Sequence, residues 1–343
     1  MRALPIIPVR VLLLIGSDMY LRALTAIAIT AVMSAAPAMA QDAPDGDLVG
    51  QNKAYTVVAG DFLASIARRN HIGYVELLSA NPAIQSTTIK PGMLLVIPGQ
   101  RLLPAVDRSG VVVNLAALRV YNFGADGSVQ TFPISVGREG WDTPVGVTTI
   151  VRKRKDPVWT VPASIRAEDP KLPTTVAAGP DNPLGQYAVS LAWPGYLLHG
   201  TNKPWAIGRP SSHGCMRLYP EDIALLYSEV QVGQAVTVID APMTIGQGNG
   251  NLYLQVTPTR AQAKQIAEFQ PVTALAMSDA PVQQLLAHLA QLRGQGIAID
   301  NAAVAGAVAR HDGIPVVIAH VPPGIEVRPA QTADVAPGEP AQS

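Results

Sequence analysis

Apolar and polar positions change rhythm several times along the chain. Tyr55-Thr56-Val57-Val58 reads as a strand, and Ala59-Gly60 as a turn. Asp61 stands where it would cap a helix that carries Leu63, Ile66 and Ala67 at helical spacing. A second short helix holds Val75, Leu77 and Leu78 and ends at Asn81-Pro82. After the turn Lys90-Pro91-Gly92, Leu94 to Pro98 closes the unit as a strand. Residues 54–98 are thus expected to form a strand–helix–helix–strand domain.

From residue 109 to 240 the runs become short and β-like. Val111 to Leu115, Leu118 to Tyr121, Val129 to Val136 and Val145 to Val151 are expected strands, with a hairpin turn at Gly124-Ala125-Asp126-Gly127. Lys155 to Gly185 is a long irregular stretch rich in Pro and Gly. Strands return at Tyr187–Leu191 and Tyr196–Leu198. Pro220 to Val230 is the good helix here, with Pro first, Glu221 and Asp222 in the first turn, and Ile223, Leu226 and Val230 on one face. Ala235 to Ile239 is a last strand. Many short strands and one helix point to a β-sandwich-like core.

Residues 250–321 mix a strand at Leu252–Val256, helices at Arg260–Phe269, Val282–Leu292 and Ala302–Arg310, and a strand at Ile314–Ala319. They read as a small α/β appendage of unassigned role. Residues 322–343 are rich in Pro and Ala and are expected to be a disordered tail. The fold class is therefore α+β and mainly β.

The N-terminus reads as an export signal over residues 1–40. An apolar run from Ala23 to Val32 leads to Ala38-Met39-Ala40, a small-x-small cleavage site, and a polar linker follows over residues 41–53. Either the charged region is long or translation starts at Met19. The run is too weak and Ala-rich for a good membrane span, so no stable span is expected after cleavage. The protein is expected in the periplasm.

Composition narrows the partners. There are 25 basic and 25 acidic side chains and a formal net charge of zero, which argues against a nucleic-acid binder. The chain has one cysteine, Cys215. In an oxidising compartment a structural cysteine has a partner, and this one has none, so it is a candidate reactive thiol. His199 precedes it, and the local run is Ser212-His213-Gly214-Cys215-Met216-Arg217. A histidine can take the thiol proton and later return it to a leaving amine. Gly214 suits a sharp turn that brings backbone N–H groups against a substrate carbonyl, forming an oxyanion hole. His199, His213 and Cys215 are alternatively three zinc ligands, but no nearby Asp, His or Cys completes that set. No metal or cofactor is expected. His71, His288, His311 and His320 read as structural.

Residues 54–98 resemble the LysM module, through Tyr55-Thr56-Val57, Gly60-Asp61, Leu63, Ile66-Ala67, Asn81-Pro82, Pro91-Gly92 and Ile97-Pro98. Phe62 stands where the module usually has a small hydroxyl residue. The resemblance implies binding to N-acetylglucosamine-containing glycan of peptidoglycan. Residues 109–240 resemble the YkuD-type L,D-transpeptidase catalytic domain. That likeness rests on His199, on Ser212 to Arg217, and on Asp142–Gly146, Pro157–Arg166, Gly179–Gly185 and His199–Pro204. It implies that Cys215 attacks a donor stem peptide between diaminopimelate and the terminal D-alanine. His199 would be base and then acid, oriented by the Gly200 carbonyl, with His213 beside the thiol. The N–H groups of Gly214 and Cys215 would hold the oxyanion. Arg217 would bind a substrate carboxylate, or alternatively pair with Glu221 or Asp222. Gly200, Thr201 and Ser212 line the substrate site, and Trp205 is either a lid over the substrate or plain packing. The acceptor is a second diaminopimelate, giving a 3-3 crosslink, or the lysine of an outer-membrane lipoprotein. Water as acceptor makes the enzyme an L,D-hydrolase. A non-catalytic LysM wall-binding protein is the contrasting reading.

Overall fold

Alternating apolar positions and frequent turns leave this chain with short strands, and nine of them pair into one sheet that closes on itself. The structure is a computed structural model and describes residues 46–322, 324, 325 and 327–332. The expected export signal and residues 333–343 of the expected tail lie outside the described residues. The described residues belong to one compact unit.

The chain opens with β1 (Leu48–Val49) and β2 (Lys53–Thr56), continues with α1 (Leu63–Arg69) and α2 (Tyr74–Ser79), and returns with β3 (Leu94–Ile97) and β4 (Arg101–Leu102). β2 pairs antiparallel with β3 and β1 with β4, which ties the two ends of this unit together. The helices turn Leu63, Ile66, Ala67, Leu77 and Leu78 onto Val57, Leu95 and Ile97. Asp61 does not cap α1, which starts after Phe62. Its carboxylate turns back to the Tyr55 hydroxyl (2.7 Å) and the Val58 N–H (2.9 Å), and pairs with Arg69. These donors, Tyr55 first, hold its pKa at about 2.

Next come β5 (Gly110–Asn114), β6 (Arg119–Phe123), β7 (Val129–Gly137), β8 (Gly146–Lys155), β9 (Trp159–Thr160), α3 (Ala163–Glu168) and β10 (Thr175–Val176). They are followed by β11 (Tyr187–Leu191), β12 (Leu197–His199), a 3-10 turn at Pro204–Ala206, β13 (Pro210–Ser212), β14 (Met216–Leu218), α4 (Pro220–Glu229) and β15 (Ala235–Ile239). The large sheet runs β13-β7-β14-β12-β11-β8-β15-β5-β6, and β6 also pairs with β7. The mainly-β, sandwich-like class holds, and the β6–β7 pairing joins its layers into a closed eight-stranded barrel with β13 alongside. Closure removes the unpaired edges that would invite aggregation.

α4 begins at Pro220 and buries Ile223 and Leu226 against the sheet near β11. Alternation along the strands then decides the opposite face: it carries Arg154, Ala188, His199 and Arg217.

The last part contains β16 (Met243–Gly248), β17 (Asn251–Val256), α5 (Arg260–Ala267), α6 (Ala280–Gly294), α7 (Asn301–Arg310), β18 (Val316–His320) and β19 (Ala330–Thr332). Its four strands order as β18-β17-β16-β19. Leu252, Leu254, Leu285, Leu289 and Ile318 form its core. Among the described residues, no helix is long and apolar enough to cross a membrane.

The helical unit is seated on the barrel. The N–H groups of Tyr74 and Val75, at the start of α2, donate to the carbonyls of Ile207 (3.2 Å) and Gly208 (3.0 Å). Gly208 has φ +82°, and a Cβ there would lie 2.2 Å from the Tyr74 nitrogen. Arg209 covers the Tyr74 ring at 3.6 Å. Arg68 forks onto Glu221 through two bonds of 2.8 Å. The seated segment, 207–209, runs directly into β13 and the Ser212–Cys215 loop.

Candidate active site

β12 and β14 run parallel, with Leu198 opposite Met216 and His199 opposite Arg217. Leu198 and Met216 are buried toward α4. His199 and Arg217 therefore point to the other face. Cys215 lies two positions before Arg217, so its side chain shares that face. The sheet register thus brings His199, Cys215 and Arg217 together from strands that the chain makes separately.

His199 is buried, and its Nδ1 lies 2.6 Å from the Gly200 carbonyl oxygen. Burial, and then the Arg217 cation, push its pKa down to about 3 against the pull of the Gly200 and Leu184 carbonyls. Its imidazole is neutral at neutral pH. Cys215 is a free, half-buried thiol whose Sγ donates to the Gly195 carbonyl at 3.3 Å. Burial raises its pKa, while a backbone bond from Leu197 and the Arg217 cation oppose the rise. The site at rest is a thiol beside a neutral imidazole, with no hydrogen bond between them.

The loop carrying Cys215 is held by its own polar groups. Ser212 is fully buried, and its hydroxyl donates to the Cys215 carbonyl (2.5 Å) and accepts from the Gly214 N–H (3.1 Å). Gly214 has φ +95°, a region an L side chain enters only with strain, and a Cβ would meet the Tyr196 ring at 3.0 Å. The buried Thr143 hydroxyl donates to the Gly214 carbonyl at 2.8 Å. That carbonyl is thereby held by a buried donor.

His213 turns elsewhere. Its Nε2 is 2.9 Å from Arg138 Nη1 and 2.9 Å from Glu168 Oε2. It cannot accept from the first and donate to the second at once, so its tautomer selects the partner. Trp141 meets the imidazole edge-on at 4.8 Å. Glu168 also takes two bonds from Arg138 (2.9 and 2.8 Å) and one from the Trp141 indole (3.0 Å). With His213 as the leading cause, these donors hold the Glu168 pKa at about 2. α3 buries none of its own residues, and Glu168 at its end fastens it to the barrel.

Arg217 pairs with neither Glu221 nor Asp222, because Arg68 holds the first and His71 the second. Its Nε is buried without a hydrogen-bond partner. Burial lowers its pKa against the pull of Cys215. Gly200 packs tightly, since a Cβ there would lie 3.2 Å from Ile223 Cγ2. Thr201 is buried, and its hydroxyl accepts from the Lys203 N–H at 2.9 Å. Trp205 is 57% exposed on the 3-10 turn that packs against α1, on the helical-unit side.

Arg138, Trp141 and Glu168 carry no mark in the sequence that would make them site residues. They converge from segments far apart in the chain, and no spacing signals that. Among the described residues no group of three His, Cys, Asp or Glu could hold a metal ion.

Residues 108–238 match the family model of the L,D-transpeptidase catalytic domain, and residues 55–98 that of the LysM domain. The chain is 41% identical to "Probable L,D-transpeptidase YcfS" of Escherichia coli (strain K12) over 241 residues, which cover 66% of this chain and 75% of the relative. It is 35% identical to "Probable L,D-transpeptidase ErfK/SrfK" of Salmonella typhimurium over 292 residues, covering 82% and 91%. Among solved structures, L,D-transpeptidase 3 from Mycobacterium tuberculosis aligns with 18% identity and a TM-score of 0.31, over 55% of this chain and 92% of that one. With relatives of this identity matched over most of their length, the chain belongs to the L,D-transpeptidase family.

Proposed function

We propose that this enzyme is an exported, periplasmic L,D-transpeptidase whose Cys215 forms an acyl-enzyme with a peptidoglycan stem peptide. The observation that carries the reading is the β12–β14 register, which sets His199, Cys215 and Arg217 on one face. On this reading the chain consists of an N-terminal signal, a LysM module over residues 54–98 that holds glycan, a catalytic domain over residues 109–240, and an appendage.

As Cys215 attacks the donor carbonyl, its proton passes to the neutral imidazole of His199. The sulfur–carbon bond forms, the bond to D-alanine breaks, and His199 returns the proton to the departing amine. The Gly200 carbonyl orients the imidazole and favours the imidazolium that forms. The Gly214 N–H is taken by the buried Ser212 hydroxyl, so of the two expected donors the Cys215 N–H is the one that serves the oxyanion. An acceptor amine then takes the acyl group. A diaminopimelate acceptor gives a 3-3 crosslink, and a lysine acceptor attaches an outer-membrane lipoprotein.

The test is to incubate mature protein with a defined tetrapeptide muropeptide, with and without a lysine-terminated peptide, and read enzyme and products by mass spectrometry. Acylation at Cys215, absent in Cys215→Ala, is expected. An active Cys215→Ala variant overturns the reading. Slow thiol labelling would not favour the purely wall-binding alternative, because burial slows labelling of the free enzyme in either case.

A further inference from the structure

A single row of directly paired residues crosses four strands. Arg154 on β8 faces Ala188 on β11, Ala188 faces His199 on β12, and His199 faces Arg217 on β14. Paired residues share a face, so both arginines stand on the face of His199, one on each side of it. Strand spacing puts Arg217 about 5 Å and Arg154 about 10 Å from His199 between Cα atoms. Ala188, between Arg154 and His199, is buried and carries only a methyl group.

Both guanidinium groups have donors to spare. Arg154 Nε and Arg217 Nε are buried and make no hydrogen bond. Neither forms an ion pair with a described residue, although Arg68, Arg108, Arg119, Arg138 and Arg260 all do. A buried donor with no acceptor is costly unless an anion arrives to satisfy it. Arg217 is next to the thiol and so sits beside whatever is attached there. Arg154 lies on the opposite side of His199 from Arg217 and the thiol.

We infer that Arg154 is the carboxylate-binding residue for the acceptor, so that the enzyme selects amines that carry a carboxylate. This rests on the transpeptidase reading of the site. With the acceptor's carboxylate on the Arg154 fork, its amine nitrogen meets the thioester carbonyl. The carbon–nitrogen bond forms, the carbon–sulfur bond breaks, and one amine proton passes to His199 and on to the Cys215 sulfur. A diaminopimelate end has its carboxylate on the carbon bearing the amine. A C-terminal lysine has it at the far end of the side chain. Both chemistries supply the anion at different reach.

The test uses the mature full chain, acylated by a tetrapeptide donor and then given three acceptors: a diaminopimelate tripeptide, the same tripeptide amidated at that carboxylate, and a lysine-terminated peptide. Arg154→Gln is expected to leave D-alanine release and acyl-enzyme formation within about 2-fold of wild type. Aminolysis kcat/KM with the carboxylate acceptor is expected to fall about 10- to 100-fold, the scale of a lost charge-assisted pair. The amidated acceptor should be as poor with wild type and lose nothing more in the variant. Whichever unmodified acceptor loses rate identifies the amine source. Arg154→Lys, which keeps charge without the fork, should fall between. Lys155→Gln removes the same charge from the other face and should change nothing. Unchanged acceptor kinetics in Arg154→Gln, or equal losses with the amidated acceptor, overturn the inference. Loss of acylation itself in that variant also overturns it. A wild-type enzyme that never acylates overturns the transpeptidase reading instead, and the subsite with it.

Discussion

His71 Nδ1 lies 2.9 Å from Asp222 Oδ1, joining the end of α1 to the first turn of α4 across the seat between the helical unit and the barrel. The bond to Asp222 raises the His71 pKa above its ordinary value. The folded state therefore holds this proton more tightly than the unfolded chain does. The stabilisation is complete below about pH 6.5 and is lost as pH rises through the folded value. Burial raises the Asp222 pKa, more than His71 lowers it, and acts in the same direction. Melting curves should show a lower Tm at pH 8.5 than at pH 6.5, and His71→Gln should shrink that difference. A difference unchanged in His71→Gln would remove the pair from the explanation.

Gly208→Ala should unseat the helical unit. The left-handed φ costs a non-glycine residue about 1–2 kcal/mol, and its Cβ would strike the Tyr74 backbone nitrogen. Backbone cannot swing aside as a side-chain tip can, so the Tyr74 and Val75 bonds should break. Hydrogen exchange should report lost protection at both amides, while strands β5 and β6 stay protected.

Glu168→Gln should free α3 without unfolding the barrel, because no residue of α3 is buried. Limited proteolysis should cut within residues 163–173 faster in the variant, with Tm nearly unchanged. The Glu168 carboxyl is held at about 2, so the stability it lends is present above its unfolded pKa near 4.5 and is lost only as pH falls towards 2. Wild-type α3 should stay equally protected from pH 5 to 7.

Alkylation of Cys215 by iodoacetamide should be slow at neutral pH and rise through a midpoint above the ordinary cysteine range. Arg217→Gln should move that midpoint higher still, because the Arg217 cation favours the thiolate. The same change should let His199 titrate closer to its usual value, which NMR can follow. A midpoint that falls in Arg217→Gln would contradict this electrostatic order.

Much of the fold can be read from the amino-acid order alone. The spacing of Leu63, Ile66 and Ala67, and of Ile223 and Leu226, marks helices because burial on one face repeats with the helical turn. Strand β16, Met-Thr-Ile-Gly-Gln-Gly, has no such rhythm and carries two glycines. It is a strand because β17 and β19 pair with it on either side. Strand β19 hides in a Pro- and Ala-rich stretch for the same reason. In the site, Cys215, His199 and Gly214 stand out by residue type and short-range order. Arg154 and Glu168 do not, because their proximity comes from register across strands and from a long excursion, and neither leaves a local mark on sequence.

The bonds from Tyr74 and Val75 to Ile207 and Gly208 tie the LysM module to the segment that runs into the loop bearing the thiol. A sugar strand gripped by that module would be presented at a constant offset from the sulfur. Stem peptides along such a strand would stand at different distances from the anchored sugar, so the grip would act as a ruler. It would leave in reach those peptides that stand at one pitch from the anchored sugar and pass over the rest.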